Sequence, residues 1–527
     1  MRLTRPGAGG PRVAWVLIGV AVLLKLLYCG HVELLPEETY YWSYSRHLDI
    51  GYLDHPPMVA WLIRLGTGLF GQTSIGVRIG ALLSGALASG YVYALTRNLF
   101  GAPSALGALV LMQGLPFFFM AGLLMTPDAP LTACWAAALY YLERALIAGH
   151  ARAWWAVGVA LGLGLLSKYT IVLLGASAAL FILFEPQARR WLRHPYPYAA
   201  LLLAILIFSP VLLWNAEHQW ASFTFQTSRR LAEARRFSLH KLIASILVLL
   251  TPTGAVAVVP LFAPGRIAPG RIAAGPEPRV QQQQHPQRGL RLLALAAGVP
   301  LAVFALFSLL HEVKLDWTGA PWVAAMPVLG AGLSGAAGVF AAGRGRLERA
   351  LRPLWLATLL ILLGAYAVGY AYLTVGLPGV GYGRHPELVP VGWRALGAQV
   401  EALRRAVPGG ARPPPLVVGM DRYAIASELS FYAPDVEQGL ASITSAHLFG
   451  GVGLMYERWF PAEAQRGRNL LLIAWRREDL DSPQVRSSVG RLEPIEEGIL
   501  RRADGTPIRA FYHRVALGYL GPPRAPP

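Results

Sequence analysis

Long apolar runs separated by short Arg-rich patches fill the first 375 positions of this 527-residue chain. A helix needs about 20 apolar residues to cross the hydrocarbon core of a bilayer. On that measure spans lie near 13–30, 74–95, 103–121, 129–148, 153–167, 170–184, 198–214, 241–262, 291–310, 321–342 and 354–375. The fifth and sixth are short, with Ser167–Lys168 as a tight turn between them. Past residue 375 the pattern changes. Trp393–Ala406 reads as an amphipathic helix, Tyr423–Tyr432 as another, and Pro415–Met420, Asn469–Trp475 and Ile508–Val515 as strands. The pattern predicts a polytopic α-helical membrane protein of about 11 transmembrane helices over residues 1–375, with a small α/β domain over 376–527.

Composition agrees with this division. The chain is 54% hydrophobic and 14% charged, where a soluble protein carries roughly a quarter charged residues. The net charge of +18 builds no basic face or stripe, so it does not point to nucleic acid. Its arginines recur at helix ends. With a cytoplasmic N-terminus, Arg2, Arg5, Arg12, Arg97, Arg144, Arg152, Arg189, Arg190 and Arg193 all fall inside, as do the arginines of 263–290 and 344–352. That is the positive-inside pattern, and it places the C-terminal domain outside. No small-residue cleavage site follows the first apolar run, which therefore reads as a retained helix. Cys29 and Cys134 read as small buried hydrophobes, and 263–290 as a polar, Pro-rich linker.

Candidate chemistry concentrates in the first outer loop, 31–73. Pro36 suits the first position of a helix, with Glu37 and Glu38 in its first turn. A purely structural explanation is at hand: acidic residues at a helix start, then an interfacial belt of Tyr40, Tyr41, Trp42 and Tyr44. Pro56 and Pro57 open a second amphipathic segment, Met58–Phe70, suited to lie in the membrane plane. The functional alternative rests on density, since Glu37, Glu38, Asp49, Asp54 and His55 share one membrane boundary with Asp128. A carboxylate there can act as general base. Lys168, Lys241 and Lys314, with Arg229, Arg230, Arg235 and Arg236, sit at predicted outer ends against the topological bias, which suggests an anionic ligand such as a lipid phosphate. Lys25, inside the first span, is expected to snorkel to the interface.

The segments PEETYYWSYSRHLDIGYLDHPPMVAWLIRLGTGLFG, LMTPDAPL, LGLLSKYT, LLWNAEHQWASFTFQ and EVKLDWTGAPW, in this order, resemble the bacterial polyprenyl-phosphate-sugar glycosyltransferases of the GT-C fold. This group includes the protein O-mannosyltransferases and the lipid A aminoarabinose transferase. DRYAIASELSFYAP resembles the tail of one bacterial branch. The resemblance implies inverting transfer of a sugar from a polyprenyl (undecaprenyl) phosphate to a hydroxyl on a lipid, glycan or protein, at the outer face of the inner membrane. It implies that Glu37, where relatives usually carry aspartate, or its neighbour Glu38, is the catalytic carboxylate. Asp128 matches the second acidic site, His55 a cation near the donor phosphate, and Lys168 a polar residue between later helices. A divalent metal held by Glu37, Glu38 and Asp128 stays open. Rival functions are an oligosaccharide ligase or polymerase using polyprenyl-pyrophosphate glycans, a transporter or flippase, and a non-catalytic scaffold.

Overall fold

Proline and glycine punctuate the helices of the computed structural model, which describes residues 9–229, 235–262, 279–335, 345–376, 382, 390–407, 414–502 and 505–523. The chain packs as two compact units. The first comprises residues 1–27, 55–59 and 78–367, and the second 28–54, 60–77 and 368–527.

Every predicted span falls on helix where it is described, with 336–342 of the span near 321–342 outside the described residues, but not every one is long or continuous. Among the described residues of the whole chain, six helices are long and apolar enough to cross a membrane: Pro11–His31, Ser74–Phe100, Pro195–Glu217, Leu239–Ala257, Gln287–Ser308 and Leu351–Val375. The span near 103–121 breaks at Leu115, because Pro116 has no N–H to continue the ladder and instead starts the short helix Pro116–Ala121. The span near 129–148 runs as Asp128–Leu142 and ends in a π-turn, Glu143–Ile147. Ala153–Ser167 and Val172–Phe184 are short, as the sequence indicates. Leu239–Ala257 is interrupted at Pro252, and Thr251 before it stands at φ +65°. Of the expected linker, 263–278 lies outside the described residues, and from Arg279 the chain is helical.

Small residues let these helices touch. A Cβ on Gly107 would meet the Gly330 carbonyl oxygen at 2.5 Å, so Ala102–Gly114 and Met326–Ser334 meet backbone to backbone. Gly158 plays the same part against Ala200. Where lipid and protein are equally apolar, such close van der Waals packing is what associates helices. Lys25 does not snorkel. It is 7% exposed, with Nζ 3.5 Å from Gln113 Oε1 and 5.1 Å from the Phe119 ring centroid, so a buried amide and an aromatic face take the place of interfacial water.

The second unit is built on a six-stranded mixed sheet. Its strands are β1 (Leu416–Gly419), β2 (Ile443–Ser445), β3 (Leu470–Ala474), β4 (Val489–Leu492), β5 (Glu496–Arg501) and β6 (Pro507–Tyr519). Their order is β2-β1-β3-β6-β4, with β5 pairing the first half of β6. β1 lies parallel to β2 and β3, while β6 runs antiparallel to β3, β4 and β5. LVVG and LLLIA are buried at every position, the continuous apolar signature of strands covered on both faces. β2, β4 and β5 escape the sequence pattern because they are short or mostly polar.

The aromatic run that the purely structural explanation reads as an interfacial belt is packed in protein instead. Tyr40, Tyr41, Trp42 and Tyr44 are 0–7% exposed and pack inside this unit. Trp42 meets Phe431 edge-on at 5.1 Å and donates to Gln72 Oε1 at 2.7 Å. The Leu34 N–H donates to the Tyr432 hydroxyl at 2.8 Å. The helix Ala424–Phe431 supplies an apolar surface that these rings prefer to water, and each aromatic pair adds about 1 kcal/mol beyond its burial. The first outer loop and the C-terminal sheet therefore share one core. The Met58–Phe70 helix forms as expected and keeps Leu65, Leu69 and Phe70 exposed.

Candidate active site

The helix Pro36–Arg46 begins as its sequence dictates, with Pro36 where no N–H is needed and two glutamates facing the positive end of the helix dipole. The two glutamates then part. Glu38 is fully buried, and its Oε2 accepts a hydrogen bond from the Leu35 N–H at 3.1 Å. That closes the helix start as half of a capping box. Glu37, about 100° away around the axis, is exposed.

One turn on, Tyr40 and Tyr44 direct their hydroxyls to the buried Asp54. The Tyr40 oxygen lies 3.2 Å from Asp54 Oδ1, the Tyr44 hydroxyl bonds the same oxygen, and the two hydroxyls are 3.0 Å apart. Burial pushes the Asp54 carboxyl above its ordinary range, with the Tyr44 and Tyr40 hydrogen bonds opposing that rise. Tyr40 also stacks on Tyr423, with centroids 4.5 Å apart. Tyr423 leaves β1 with Asp421 and Arg422, and Asp421 caps the next helix by accepting from the Ile425 N–H at 3.1 Å. The Tyr423 phenol is raised by burial first, then by the nearby carboxylates of Glu37 and Asp54, with the Arg422 guanidinium acting the other way. Glu37, Asp54, Arg422 and Tyr423 thus form one electrostatic neighbourhood inside the second unit.

The first unit holds a different cluster. Lys168, extended between Ala153–Ser167 and the turn Tyr169–Ile171, donates to Asp128 Oδ1 and Oδ2 at 2.9 Å each and to Asp316 Oδ2 at 3.0 Å. Lys168 and Asp128 side chains are 13% and 14% exposed, Asp316 45%. One ammonium against two carboxylates leaves the cluster formally anionic. Asp128 starts its helix, and the Thr132 hydroxyl one turn on donates to the Asp128 carbonyl oxygen at 2.7 Å. His55 is half-buried in the DHPP turn before Met58–Phe70. Arg236 and Lys241 both pair with Glu312. The backbone of Arg229 ends the π-turn Phe225–Arg229, while its side chain and the whole of Arg230 lie outside the described residues.

Of the residues singled out by sequence, Asp128 and Lys168 come together, while Glu37 and Glu38, though adjacent, have opposite surroundings. Asp316, Arg422 and Tyr423 were not assigned. Asp316 lies in the EVKLDWTGAPW segment and the other two follow the first residue of DRYAIASELSFYAP, but no spacing rule ties either segment to a distant partner. Among the described residues no three His, Cys, Asp or Glu side chains gather as a metal site would need.

Residues 54–214 match the family described as dolichyl-phosphate-mannose-protein mannosyltransferase, a span that includes His55, Asp128 and Lys168 but stops short of Glu37. The lipid A galacturonosyltransferase RgtD of Rhizobium johnstonii is 30% identical over 201 residues, 35% of this chain and 39% of the relative. An undecaprenyl phosphate-alpha-4-amino-4-deoxy-L-arabinose arabinosyl transferase of Pseudomonas paraeruginosa is 31% identical over 223 residues, 38% of this chain and 40% of the relative. The matches thus span about two fifths of these curated relatives. In fold the likeness runs further. The crystal structure of ArnT from Cupriavidus metallidurans bound to undecaprenyl phosphate superposes with a TM-score of 0.59 over 96% of this chain and 98% of that one, at 16% identity. The apo form of the same protein gives 0.58 over the same shares. The likeness to the polyprenyl-phosphate-sugar transferases read from the loop motifs is therefore borne out, in sequence across residues 54–214 and in GT-C fold across nearly the whole chain.

Proposed function

We propose that this protein is an inverting membrane glycosyltransferase that moves a sugar from a polyprenyl phosphate to an acceptor hydroxyl at the outer face of the inner membrane. The observation that carries the reading is the sorting of the glutamate pair: Glu38 is committed to its own helix cap, and Glu37 keeps an open carboxylate. The named activity of RgtD supports glycosyl transfer, and the undecaprenyl phosphate in the name of the Pseudomonas transferase and in the ArnT structure of like fold supports this class of donor.

In this reading Glu37 takes the proton as the acceptor O–H bond breaks. The freed electron pair forms the new bond to the anomeric carbon, and the carbon–oxygen bond to the lipid phosphate breaks with its pair left on phosphate. A sugar alcohol barely ionises at neutral pH, so the base is what makes the attack feasible. Cations beside the leaving phosphate lower the barrier, because its charge grows only as the bond breaks. His55, Arg229 and Arg230 are the cations assigned to it. Lys168 acts through Asp128 and Asp316, as a positioning residue that holds both carboxylates in place. Residues 1–375 form the membrane body with loop 31–73 and the domain 376–527 on the extracytoplasmic side, a topology supported by the arginine placement.

The test is a donor assay in proteoliposomes. Single-sugar polyprenyl phosphates should be consumed, with inversion at the anomeric carbon, and polyprenyl-pyrophosphate glycans should not. Transfer from the pyrophosphate glycans alone would make the protein an oligosaccharide ligase instead. Movement of the lipid across the bilayer with no glycosidic product would make it a flippase.

A further inference from the structure

Opposite the Lys168 cluster, across about 20 Å of the helix Val172–Phe184, the first unit carries a second charged cluster that the proposed mechanism does not use. Its centre is the buried carboxylate of Glu185. Arg288 Nε lies 3.3 Å from one of its oxygens, and Arg291 Nη1 lies 2.9 Å from the other. Arg288 is itself buried and donates to the Leu146 carbonyl oxygen at 2.9 Å, while about half of the Arg291 side chain is exposed. The exposed Arg190 joins from the turn Arg189–Arg193, which the buried Trp191 fixes by meeting Trp154 edge-on at 5.6 Å. In the same turn the Arg189 N–H donates to the Glu185 carbonyl oxygen at 3.3 Å. The Arg190 guanidinium lies against Gly149, three residues past Leu146, where an added Cβ would meet its Nη2 at 3.0 Å. Three guanidiniums against one carboxylate leave two surplus positive charges, and Arg190 and Arg291 both oppose the charge of Arg288. The rim of the cluster is apolar. Leu183 and Phe184, just before Glu185, are exposed, as is Leu192 within the arginine turn. Arg189 Nε donates to the Leu183 carbonyl oxygen at 2.9 Å, and the exposed Tyr198 donates to that of Leu192 at 2.8 Å.

We propose that Arg190 and Arg291, with Arg288 behind them, bind the phosphate of an anionic phospholipid of the membrane. The inference goes beyond the proposed function and stands without it. A guanidinium fork offers parallel N–H donors to phosphate oxygens, and Arg190 and Arg291 are the two of the three that reach the surface. The apolar rim decides between a lipid and a soluble phosphate. Leu183, Phe184 and Leu192 give acyl chains a surface beside the headgroup, and a small anion would leave that surface without an occupant. Basic pockets between spanning helices are where such headgroups settle. The bound lipid would join the end of Val172–Phe184, the turn Arg189–Arg193 and the start of the span Gln287–Ser308, which Glu185 otherwise ties together alone.

The experiment uses the full chain in nanodiscs of equal phosphatidylglycerol and phosphatidylcholine, and native mass spectrometry after release counts the lipid that stays bound. Wild-type protein should keep phosphatidylglycerol in preference. Arg190→Gln with Arg291→Gln should lower that preference about tenfold to thirtyfold. Arg190→Lys with Arg291→Lys keeps both charges without the forks and should lower it only about threefold. Arg12→Gln with Arg97→Gln removes the same charge from exposed arginines of other helices and should leave the preference unchanged. Equal retention of the two lipids by wild type overturns the proposal. So does an equal loss in the Arg12 and Arg97 pair, which would reduce the effect to overall charge. Displacement of the bound phosphatidylglycerol by soluble glycerol phosphate would overturn it as well, since the ligand would then be a free phosphate.

Discussion

Asp128 in the first unit and Glu37 in the second are both carboxylates in the first turn of a helix, and both follow the same sequence logic of an acidic residue beside proline. Their surroundings differ completely. Asp128 is tied through both oxygens to Lys168, which Asp316 also holds. Glu37 is exposed, because the capping duty fell to Glu38. A carboxylate locked against an ammonium is held in place, and a carboxylate left open is the one that the proposed mechanism uses as a base. What a helix-start acid does is decided by whichever neighbour claims it.

The comparison can be broken most decisively at Glu37. Glu37→Gln should lower kcat by about 10²–10⁴-fold with an unchanged melting temperature, measured by transfer of labelled sugar beside a thermal melt. A variant that keeps full activity would sink the assignment. The next largest effect belongs to the other cluster. Lys168→Met strands Asp128 and Asp316 side by side, and the loss should approach about 3 kcal/mol, since a broken buried pair leaves charge uncompensated. The exposure of Asp316 keeps it from being larger. Adding Asp128→Asn and Asp316→Asn should return most of the stability but not the activity. If the triple variant melts no higher than Lys168→Met, the cluster is not held together by its charges.

Glu38→Gln sharpens the contrast from the structural side. Losing the charged cap should cost about 1 kcal/mol and leave kcat within a few fold. A collapse of kcat there, with Glu37→Gln active, would exchange the two roles. The smallest effect is a pH slope. Burial raises the folded-state Asp54 carboxyl above an unfolded value of about 3.9. Over the window just above that value the folded chain holds more protons than the unfolded one, so stability falls as the pH rises through it. Asp54→Asn should flatten that part of the profile in denaturant melts, and an unchanged slope would remove Asp54 as its source.

Much of this was legible in the sequence, and the physical reason is locality. Helix positions follow hydropathy, which is why Met58–Phe70 and Trp393–Ala406 match their expected limits. Pro36 and the glutamates behind it announce a helix start without any tertiary information. Asp128 and Lys168 entered as separate motifs, each expected to serve a ligand, and only the fold reveals their 2.9 Å bond. Lys25 and the tyrosines of the loop helix depart from what hydropathy suggests for one reason. Hydropathy treats an amphipathic side chain at a membrane boundary as bound for the interface, and it carries no account of the partner that Gln113 or Tyr423 provides. The difference in surroundings between Glu37 and Glu38 turns on the Leu35 N–H, a backbone atom that no motif records.

The shared core of the loop helix and the C-terminal sheet also sets a timetable. Leu34 and its partner Tyr432 are 398 positions apart. At the usual synthesis rate of about 5–20 residues per second, the loop waits roughly 20–80 s for the segment that completes it. Until then Tyr40, Trp42 and Tyr44 have nothing to pack against, and Glu37 sits on an unsupported turn. A ribosome that stops short of Tyr432 leaves the Pro36–Arg46 helix without the surface it packs on, so a half-made copy carries a loop with no settled place.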